Sequence, residues 1–417
     1  TCLVGVLATS GLTRTMTSGL RVRIAAIFAV FALLTTGLVS SQSWASPNDY
    51  PTAAEVEAAK KNVAKKRALI KRIDRIIASL ATEEEALSMV AQQKGEIYNQ
   101  AQVQVDEVAA KVKILQGQAD AANAQADAAK MQLGLIASQM YRQGTAGTSL
   151  NLLLNAGKAD DLLYQLGAQE RVAQSSDTLY QRSVQTQKFA ESLNSQLKVA
   201  RADLAAKAAI AKAAYNQAQS AADELTAKVN DNKAHMAVLI TQLASLQRTS
   251  EKLAAERAAG LARDAAQAAG NADMTAPELY NVGDPDSAKV EIAIAFARKQ
   301  LGEPYVLGGM GPNVWDCSGI TKAAYAAAGI YIGTHSATNQ FREMARQQKL
   351  IPLREIQRGD LLWYSPEPGV FDGDKAHVVL YLGNDMMLEA PHPGSEVRIV
   401  QVRHGSQLFR YGGRPSA

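Results

Sequence analysis

Cysteine is scarce in this sequence, which has only Cys2 and Cys317 among 417 residues. We expect the segment that contains Cys2 to be removed, which leaves Cys317 without a partner in the mature chain. The fold cannot therefore depend on disulfide bonds.

Proline is absent between residues 52 and 260, aromatic residues are few there, and Ala, Gln, Lys and Glu dominate. Large apolar residues recur with heptad spacing in two stretches, which is typical of a coiled coil. The first series is Val63, Ile70, Ile73, Ile77, Leu80 and Leu87; the second is Leu225, Val229, Met236, Leu239, Leu243, Leu246 and Leu253, with Asn232 and Ser250 at two seam positions. The pattern predicts a long antiparallel α-helical coiled-coil hairpin.

An excess of one charge is also absent, because 44 basic residues nearly balance 40 acidic ones. No basic stripe with interleaved aromatic residues is present, so we expect no nucleic-acid partner. The five histidines lack the spacing of metal ligands, and no glycine motif has the pattern of a phosphate or dinucleotide site. We therefore predict no metal and no cofactor.

Long apolar runs are limited to residues 24–39, which follow Arg21 and Arg23 and precede small residues at Ser43 and Ala45. This order is typical of a secretory signal, and the run is short for a spanning helix. We assign residues 1–45 to a signal peptide cleaved after Ala45, with residues 1–15 as an upstream extension or a misplaced start. The mature protein is expected to have no transmembrane anchor and to be secreted into a periplasm-like space or the cell wall.

The rest of the chain divides by composition. Residues 46–260 form the predicted hairpin, with a glycine- and leucine-rich tip near 142–163 that either packs its own leucines or serves as a docking surface. Glycine and proline mark a linker at 261–287. Residues 288–417 combine predicted helices at 288–301, 320–328 and 337–346 with later strands at 361–364, 377–382, 386–389 and 397–402, which predicts an α+β domain.

Cys317 is the candidate nucleophile. It follows a glycine-rich loop at 308–312 and precedes a helical run of small residues. Unpaired backbone N–H groups at a helix start favour a thiolate and can also hold an oxyanion, so we expect the pKa of this thiol to be lowered. The alternative is an inert, buried cysteine.

His377 is the candidate base, since it begins an apolar strand where its ring can reach a cleft rim. Its orienting partner depends on the next turn. A three-residue loop pairs Val379 with Glu389 and puts Glu389 on the face of His377, whereas a two-residue loop puts His392 there. The sequence leaves both alternatives open.

Several motifs resemble the NlpC-type, papain-like cysteine endopeptidases of bacterial peptidoglycan, and the arrangement with an N-terminal coiled coil is similar to the actinobacterial Rip-type members. The matching segments are residues 302–309 (GEPYVLGG), 315–319 (WDCSG), 358–361 (RGDL), 376–378 (AHV) and 381–383 (YLG). The resemblance implies a papain-like fold for the C-terminal domain.

The resemblance also implies roles for individual residues. The family's nucleophile corresponds to Cys317, its base to His377 and its third polar residue to Glu389. Tyr305 corresponds to a tyrosine that assists the amides of Cys317 and Ser318 at the oxyanion. Ser336 corresponds to a substrate-contact residue, although residues 332–335 (IGTH) depart from the family's usual Pro-Arg-Thr-Ser-like run.

From the residues alone we predict a thiol enzyme that cleaves an amide or transfers an acyl group. The family implies hydrolysis of stem peptides between D-γ-glutamate and meso-diaminopimelate, and control of the cleft by a cell-division ABC-transporter complex acting through the coiled coil. The competing interpretation is a non-catalytic wall-binding or division-scaffold protein that acts through the coiled coil.

Overall fold

The computed structural model describes residues 50–143, 159–268 and 272–417. The predicted signal peptide lies outside these residues, as does most of the predicted hairpin tip. Within the described ranges, no helix combines the length and the apolar character that crossing a bilayer requires.

The described residues of the N-terminal part form the helices α1 (Ala53–Lys60), α2 (Val63–Gln143), α3 (Ala159–Gln247) and α4 (Glu251–Ala268). The two long helices run antiparallel. Asn123 and Asn194 exchange side-chain hydrogen bonds of 3.4 and 2.9 Å, whereas Lys207, later in α3, donates to Gln104, earlier in α2. The predicted antiparallel hairpin of long helices is confirmed.

Most residues of the predicted seam are buried between the helices, as the heptad spacing requires. The fully or nearly fully buried members are Ile73, Ile77, Leu80, Leu225, Val229, Leu239, Leu243 and Leu246. Two assignments at the ends are wrong, because Val63 is 68% exposed and Leu253 is 56% exposed. Val63 is the first residue of α2, and Leu253 follows a break at Arg248, whose φ of 54° ends α3 and changes the direction of the chain.

Helix α4 extends to Ala268, into the range that composition predicts as linker. Ala254 and Ala258 are buried against the base of the hairpin, and Arg257 forms a 2.6 Å ion pair with Asp74 of α2. A single glycine, Gly260, lowers helix propensity by only about 1 kcal/mol, which this packing offsets.

The C-terminal part, which we call the head, has three helices: α5 (Ser287–Arg298), α6 (Cys317–Ala327) and α7 (Ala337–Arg346). An antiparallel sheet of six strands follows, in the order β1-β6-β2-β3-β4-β5. The strands are β1 (Leu350–Pro352), β2 (Leu361–Tyr364), β3 (His377–Gly383), β4 (Met386–Glu389), β5 (Arg398–Gln401) and β6 (Tyr411–Gly413). The α+β class is confirmed.

The core of the head lies between its helices and the sheet. Helix α6 packs against β3 through Ile320 and Ala324, and Phe341 of α7 meets Trp363 of β2 edge to face at 5.5 Å. Each Å² of apolar surface buried in this core contributes about 25 cal/mol to the stability of the fold. This packing fixes the start of α6 beside the start of β3.

Asn232 offers a test of the hairpin seam. Its side chain is buried, and the Nδ2 atom donates a 3.4 Å hydrogen bond to the Leu80 carbonyl. The Oδ1 atom has no hydrogen-bond partner. Because an unpartnered buried oxygen is costly, we expect Asn232→Leu to raise the free energy of unfolding by about 1–2 kcal/mol in urea titrations. The exposed Asn216→Leu change on the same helix should have little effect, and equal effects of the two would contradict the seam assignment.

Candidate active site

Cys317 is the first residue of α6. The residue before it, Asp316, caps the helix, since its Oδ1 atom accepts a 2.8 Å hydrogen bond from the Gly319 amide. The glycine-rich loop rests directly on this turn: a Cβ atom on Gly319 would lie 2.0 Å from the Gly309 carbonyl oxygen. Glycine is therefore required at 319, and the loop and the helix start form one rigid unit.

His377 is the first residue of β3, and its ring is fully buried. Its Nε2 atom lies 2.9 Å from Glu389 Oε2, while its Nδ1 atom is buried without a hydrogen-bond partner. Of the two alternatives left open by the sequence, the structure has Glu389 beside His377. His392 instead hydrogen-bonds through Nδ1 to the Pro393 carbonyl at 2.9 Å.

The register of the β3–β4 hairpin explains this pairing. Leu380 lies opposite Leu388, which is the alignment of the three-residue-loop alternative. The turn itself is tighter than expected, because Asn384 and Asp385 adopt positive φ angles of 51° and 59° and a bulge between Tyr381 and Gly383 absorbs the extra residue. The bulge keeps Glu389 on the face of His377.

Glu389 is fully buried and held by two arginines. Arg403 donates to both carboxylate oxygens at 2.9 Å, and the Nε atom of Arg398 donates to Oε1 at 3.0 Å. Burial alone would raise the pKa of Glu389, but Arg403, His377 and Arg398 outweigh it and hold that pKa well below its usual range. The pKa of His377 is lowered, mainly by burial and against the effect of Glu389, so at neutral pH the ring is an uncharged base beside an ionised carboxylate.

Cys317 is buried in the same cluster as Val378 of β3, and the backbone amides of Val378 and Ser318 favour its thiolate. The prediction of a lowered thiol pKa is wrong for this structure. Burial, followed by the negative charges of Asp316 and Glu96, raises the pKa of Cys317 well above its usual value, and only 5% of the residue is exposed. The two amides lower the thiol pKa by less than burial raises it, because burial removes the water that would stabilise the thiolate.

The three remaining predicted site residues are all buried. Tyr305 is 8% exposed, and burial and the nearby charges of Asp316 and Cys317 raise the pKa of its hydroxyl. Ser318 is buried, and its hydroxyl donates to Asp316 Oδ1 at 3.2 Å. Ser336 caps α7, where its Oγ atom accepts from the Asn339 amide at 3.0 Å.

Comparisons with known proteins identify one region of the chain. The family model "NlpC/P60 family" matches residues 302–411, a range that includes Cys317, His377 and Glu389. Residues 302–411 form an NlpC/P60 domain.

Relatives share this region. Peptidoglycan endopeptidase RipA of Mycolicibacterium smegmatis is 33% identical over 127 residues, which cover 27% of this chain and 23% of that protein. Peptidoglycan endopeptidase RipB of Mycobacterium tuberculosis is 35% identical over 127 residues, covering 27% of this chain and 48% of that protein. A solved structure of RipB from the same organism is 30% identical, with a TM-score of 0.27, and the match covers 33% of this chain and 74% of that one. The chain thus spans between about a quarter and a half of the length of these two curated relatives.

One stretch of α2, residues 85–100, lies across the NlpC/P60 domain at the site, and we call it the covering segment. The side-chain amide of Gln92 donates to the Pro391 carbonyl at 2.7 Å, and Met89 joins an apolar cluster with Tyr364 and Val379 of the domain. Near the thiol, a Cβ atom on Gly95 would lie 3.1 Å from Leu307 Cδ1 and 3.7 Å from the Tyr305 hydroxyl. The covering segment therefore packs against the head beside Cys317, which is 5% exposed.

Glu96 makes the most extensive polar contact of the covering segment. Its carboxylate accepts hydrogen bonds from Ser336 Oγ at 2.5 Å, the Ala337 amide at 2.8 Å and the Thr338 amide at 3.0 Å. These groups form the N-terminus of α7, which favours a negative charge. Burial nevertheless raises the pKa of Glu96 to about 7, and the three donors only partly offset it.

Sequence reasoning missed several residues of this site. Arg403 and Arg398 gave no signal, because their contact with Glu389 depends on how the β4–β5 region folds back. Glu96 and Asn99 lie in a helix that was predicted from the spacing of its apolar residues, so no role was expected for its polar side chains. Asp316, by contrast, stood directly before the candidate nucleophile, and its place at a helix start was a detectable sign of a cap.

The raised pKa of Glu96 predicts that closure of the covering segment depends on pH. The pKa of Glu96 is about 7 when α2 is docked, against 4.5 for the free carboxyl group, so protonation of Glu96 favours docking. This stabilisation is complete below about pH 4.5 and is lost as the pH rises through about 7. We expect docking to weaken by about 1–3 kcal/mol over this window. Hydrogen exchange at the starts of α6 and α7, corrected for intrinsic rates, should report it.

Two matched variants separate this effect from general pH sensitivity. Glu96→Gln keeps the size of the side chain but removes its titration, so protection should become nearly independent of pH. Glu107→Gln removes an exposed carboxylate from the same helix and should leave the pH dependence intact. If protection in Glu96→Gln still falls with pH as in the parent, Glu96 is not the titrating group.

Proposed function

We propose that this protein is a secreted cell-wall hydrolase that cleaves amide bonds in the stem peptides of peptidoglycan, with Cys317 as nucleophile, His377 as base and Glu389 as its orienting partner. The observation that carries the proposal is a thiol at a helix start, beside a strand whose histidine is hydrogen-bonded to an ionised carboxylate. The match of residues 302–411 to the NlpC/P60 family supports peptidoglycan as the substrate.

In the proposed reaction, His377 Nδ1 takes the thiol proton, and the thiolate attacks the carbonyl carbon of the scissile amide. The imidazolium then donates that proton to the leaving amine, which gives a thioester on Cys317. Water, deprotonated by His377, hydrolyses the thioester and restores the thiol. The unpartnered state of Nδ1 in the closed chain supports its assignment as the reacting nitrogen.

The charges around His377 fit this cycle. Glu389 stabilises the imidazolium that forms after proton transfer, and Arg403 keeps Glu389 ionised and fixed in place. Tyr305 and the Ser318 amide are the proposed donors to the oxyanion, and Ser336 the proposed substrate contact. The Ser318 amide favours the thiolate of Cys317 in the closed chain, which supports its reach to an adjacent oxygen.

We further propose that the helical hairpin gates this activity. The covering segment buries Cys317 and occupies the donors at the start of α7, so a substrate can reach the thiol only after α2 has moved. Force applied through the hairpin would provide that movement. The resemblance to Rip-type hydrolases suggests a cell-division ABC-transporter complex as its source and the D-γ-glutamyl–meso-diaminopimelate bond as the target.

A different class of function, a wall-binding or division-scaffold protein with an inactive head, needs none of the buried charges at Glu389. A transfer of the acyl group to an amine instead of water would use the same residues. Both are distinguished from hydrolysis by the products released from purified wall.

Gly95 provides a way to open the cleft without altering the head. A phenylalanine at 95 cannot fit against Leu307 and Tyr305, yet it suits a helix better than glycine does. We therefore expect Gly95→Phe to increase the release of soluble fragments from purified peptidoglycan at least about tenfold, since each 1.4 kcal/mol lost from docking is a factor of ten. Gly117→Phe, at a position of the same helix with nothing within 4 Å, is the control and should match the parent.

Mass analysis of the fragments tests the nucleophile and the reaction together. In the Gly95→Phe chain, adding Cys317→Ala should abolish release, because the alanine side chain cannot form the thioester. Hydrolysed stem peptides with free carboxyl ends support an endopeptidase, whereas adducts with an added amine indicate transfer. Identical fragments with and without Cys317 would refute the nucleophile, and no release from the opened chain would favour the scaffold.

A further inference from the structure

Asp316 carries a buried negative charge next to the proposed nucleophile. Its carboxylate accepts hydrogen bonds from the Gly308 amide at 3.1 Å and from Asn99 Nδ2 at 3.0 Å, in addition to those from Gly319 and Ser318. All of these donors are neutral. This charge disfavours the thiolate of Cys317, and it is the second-largest cause of the raised thiol pKa after burial.

His335 is the basic side chain that faces this carboxylate. Its Nε2 atom lies 2.8 Å from both Asp316 oxygens. Among the described residues, no lysine or arginine forms an ion pair with Asp316. Burial by itself would raise the pKa of Asp316, but the charge of His335 and the hydrogen bonds lower it, so this carboxylate is ionised at neutral pH.

The backbone around His335 is held in place for this contact. The Thr334 amide donates to Asn339 Oδ1 at 2.9 Å, and Gly333 has a φ of 117° with no room for a Cβ atom beside Asn339. The Ser336 cap then leads directly into α7. The ring of His335 therefore remains against Asp316 when the covering segment leaves, whereas Asn99 leaves with α2.

We propose that His335 is a positioning residue for the reaction, whose contact with both Asp316 oxygens offsets the charge of that carboxylate beside Cys317 and so favours the thiolate once the cleft is open. The inference rests on the proposed use of Cys317 as nucleophile. Its readout is the ionisation of the thiol, which does not depend on the bond that is cut, so this inference and the proposed function can fail separately.

Other charged groups near His335 belong mainly to α2. The side chains that line the groove of about 550 Å³ around His335 include Lys322 of α6 and, from α2, Tyr98, Asp106 and Glu107; Glu96 contacts the next residue, Ser336. In a chain opened by Gly95→Phe the α2 groups are displaced, which leaves Asp316 and Lys322. Removal of the histidine then leaves Asp316 without a directly bonded cation.

The test is the rate at which iodoacetamide alkylates Cys317 as a function of pH, measured by intact mass. Every protein is the full chain with Gly95→Phe, to expose the thiol, and Cys2→Ser, to leave one cysteine. We expect His335→Gln to slow alkylation about tenfold at pH 7 and to move the midpoint to higher pH by about one unit, because an opposite charge this close shifts a pKa by a unit or more. His335→Arg should stay within about threefold of its parent.

His404→Gln is the matched control, because His404 pairs with Asp385 on the surface of the same domain and should not affect the thiol. Two results would overturn the proposal: a His335→Gln curve that superimposes on the parent, or a His335→Arg curve shifted as far as His335→Gln. If circular dichroism shows that His335→Gln is unfolded, the arginine variant decides. Arginine places a permanent positive charge beside Asp316, so alkylation of the His335→Arg protein must exceed that of the parent at alkaline pH, and coincident curves refute the role.

Discussion

A single buried carboxylate, that of Asp316, joins the parts of the molecule that make the site. It caps the helix that begins with Cys317, fixes the glycine-rich loop through the Gly308 amide, and accepts from His335 on the segment before α7. It also accepts from Asn99 of α2, which ties the hairpin to the head. Because a buried charge must be satisfied by donors, these four segments can close around it in few arrangements.

The same carboxylate creates a conflict at the nucleophile. A negative charge and a dry environment both oppose the thiolate, which explains why the amides at the helix start do not lower the pKa of Cys317 in the closed chain. On the proposed gating, opening of the covering segment would admit water and remove Glu96. The cost of ionising the thiol would then depend on the position of α2, although the residues proposed to react lie in the head.

Much of the head followed from local sequence signals. Strands β2 and β4 and helix α7 have the predicted bounds, because each is a short apolar or amphipathic segment bordered by strong turn or cap residues. Strands β1 and β6 were missed, since three residues carry no readable alternation and these strands form only by pairing with each other and with β2. The neighbour of His377 was left open because a bulge near Leu382 changes the loop length without changing the face of Glu389.

The sequence by itself determined the antiparallel helical hairpin and the α+β head, and it singled out Cys317 and His377 as candidates, because heptad spacing, caps and a distinctive motif are local properties. Only the tertiary structure decided that Arg403 hydrogen-bonds to Glu389, that His335 contacts Asp316, and that residues 85–100 pack against the head beside the site. Those contacts join side chains far apart in the chain. Their energies depend on burial and on the distances between charges, which no spacing of residues along the chain encodes.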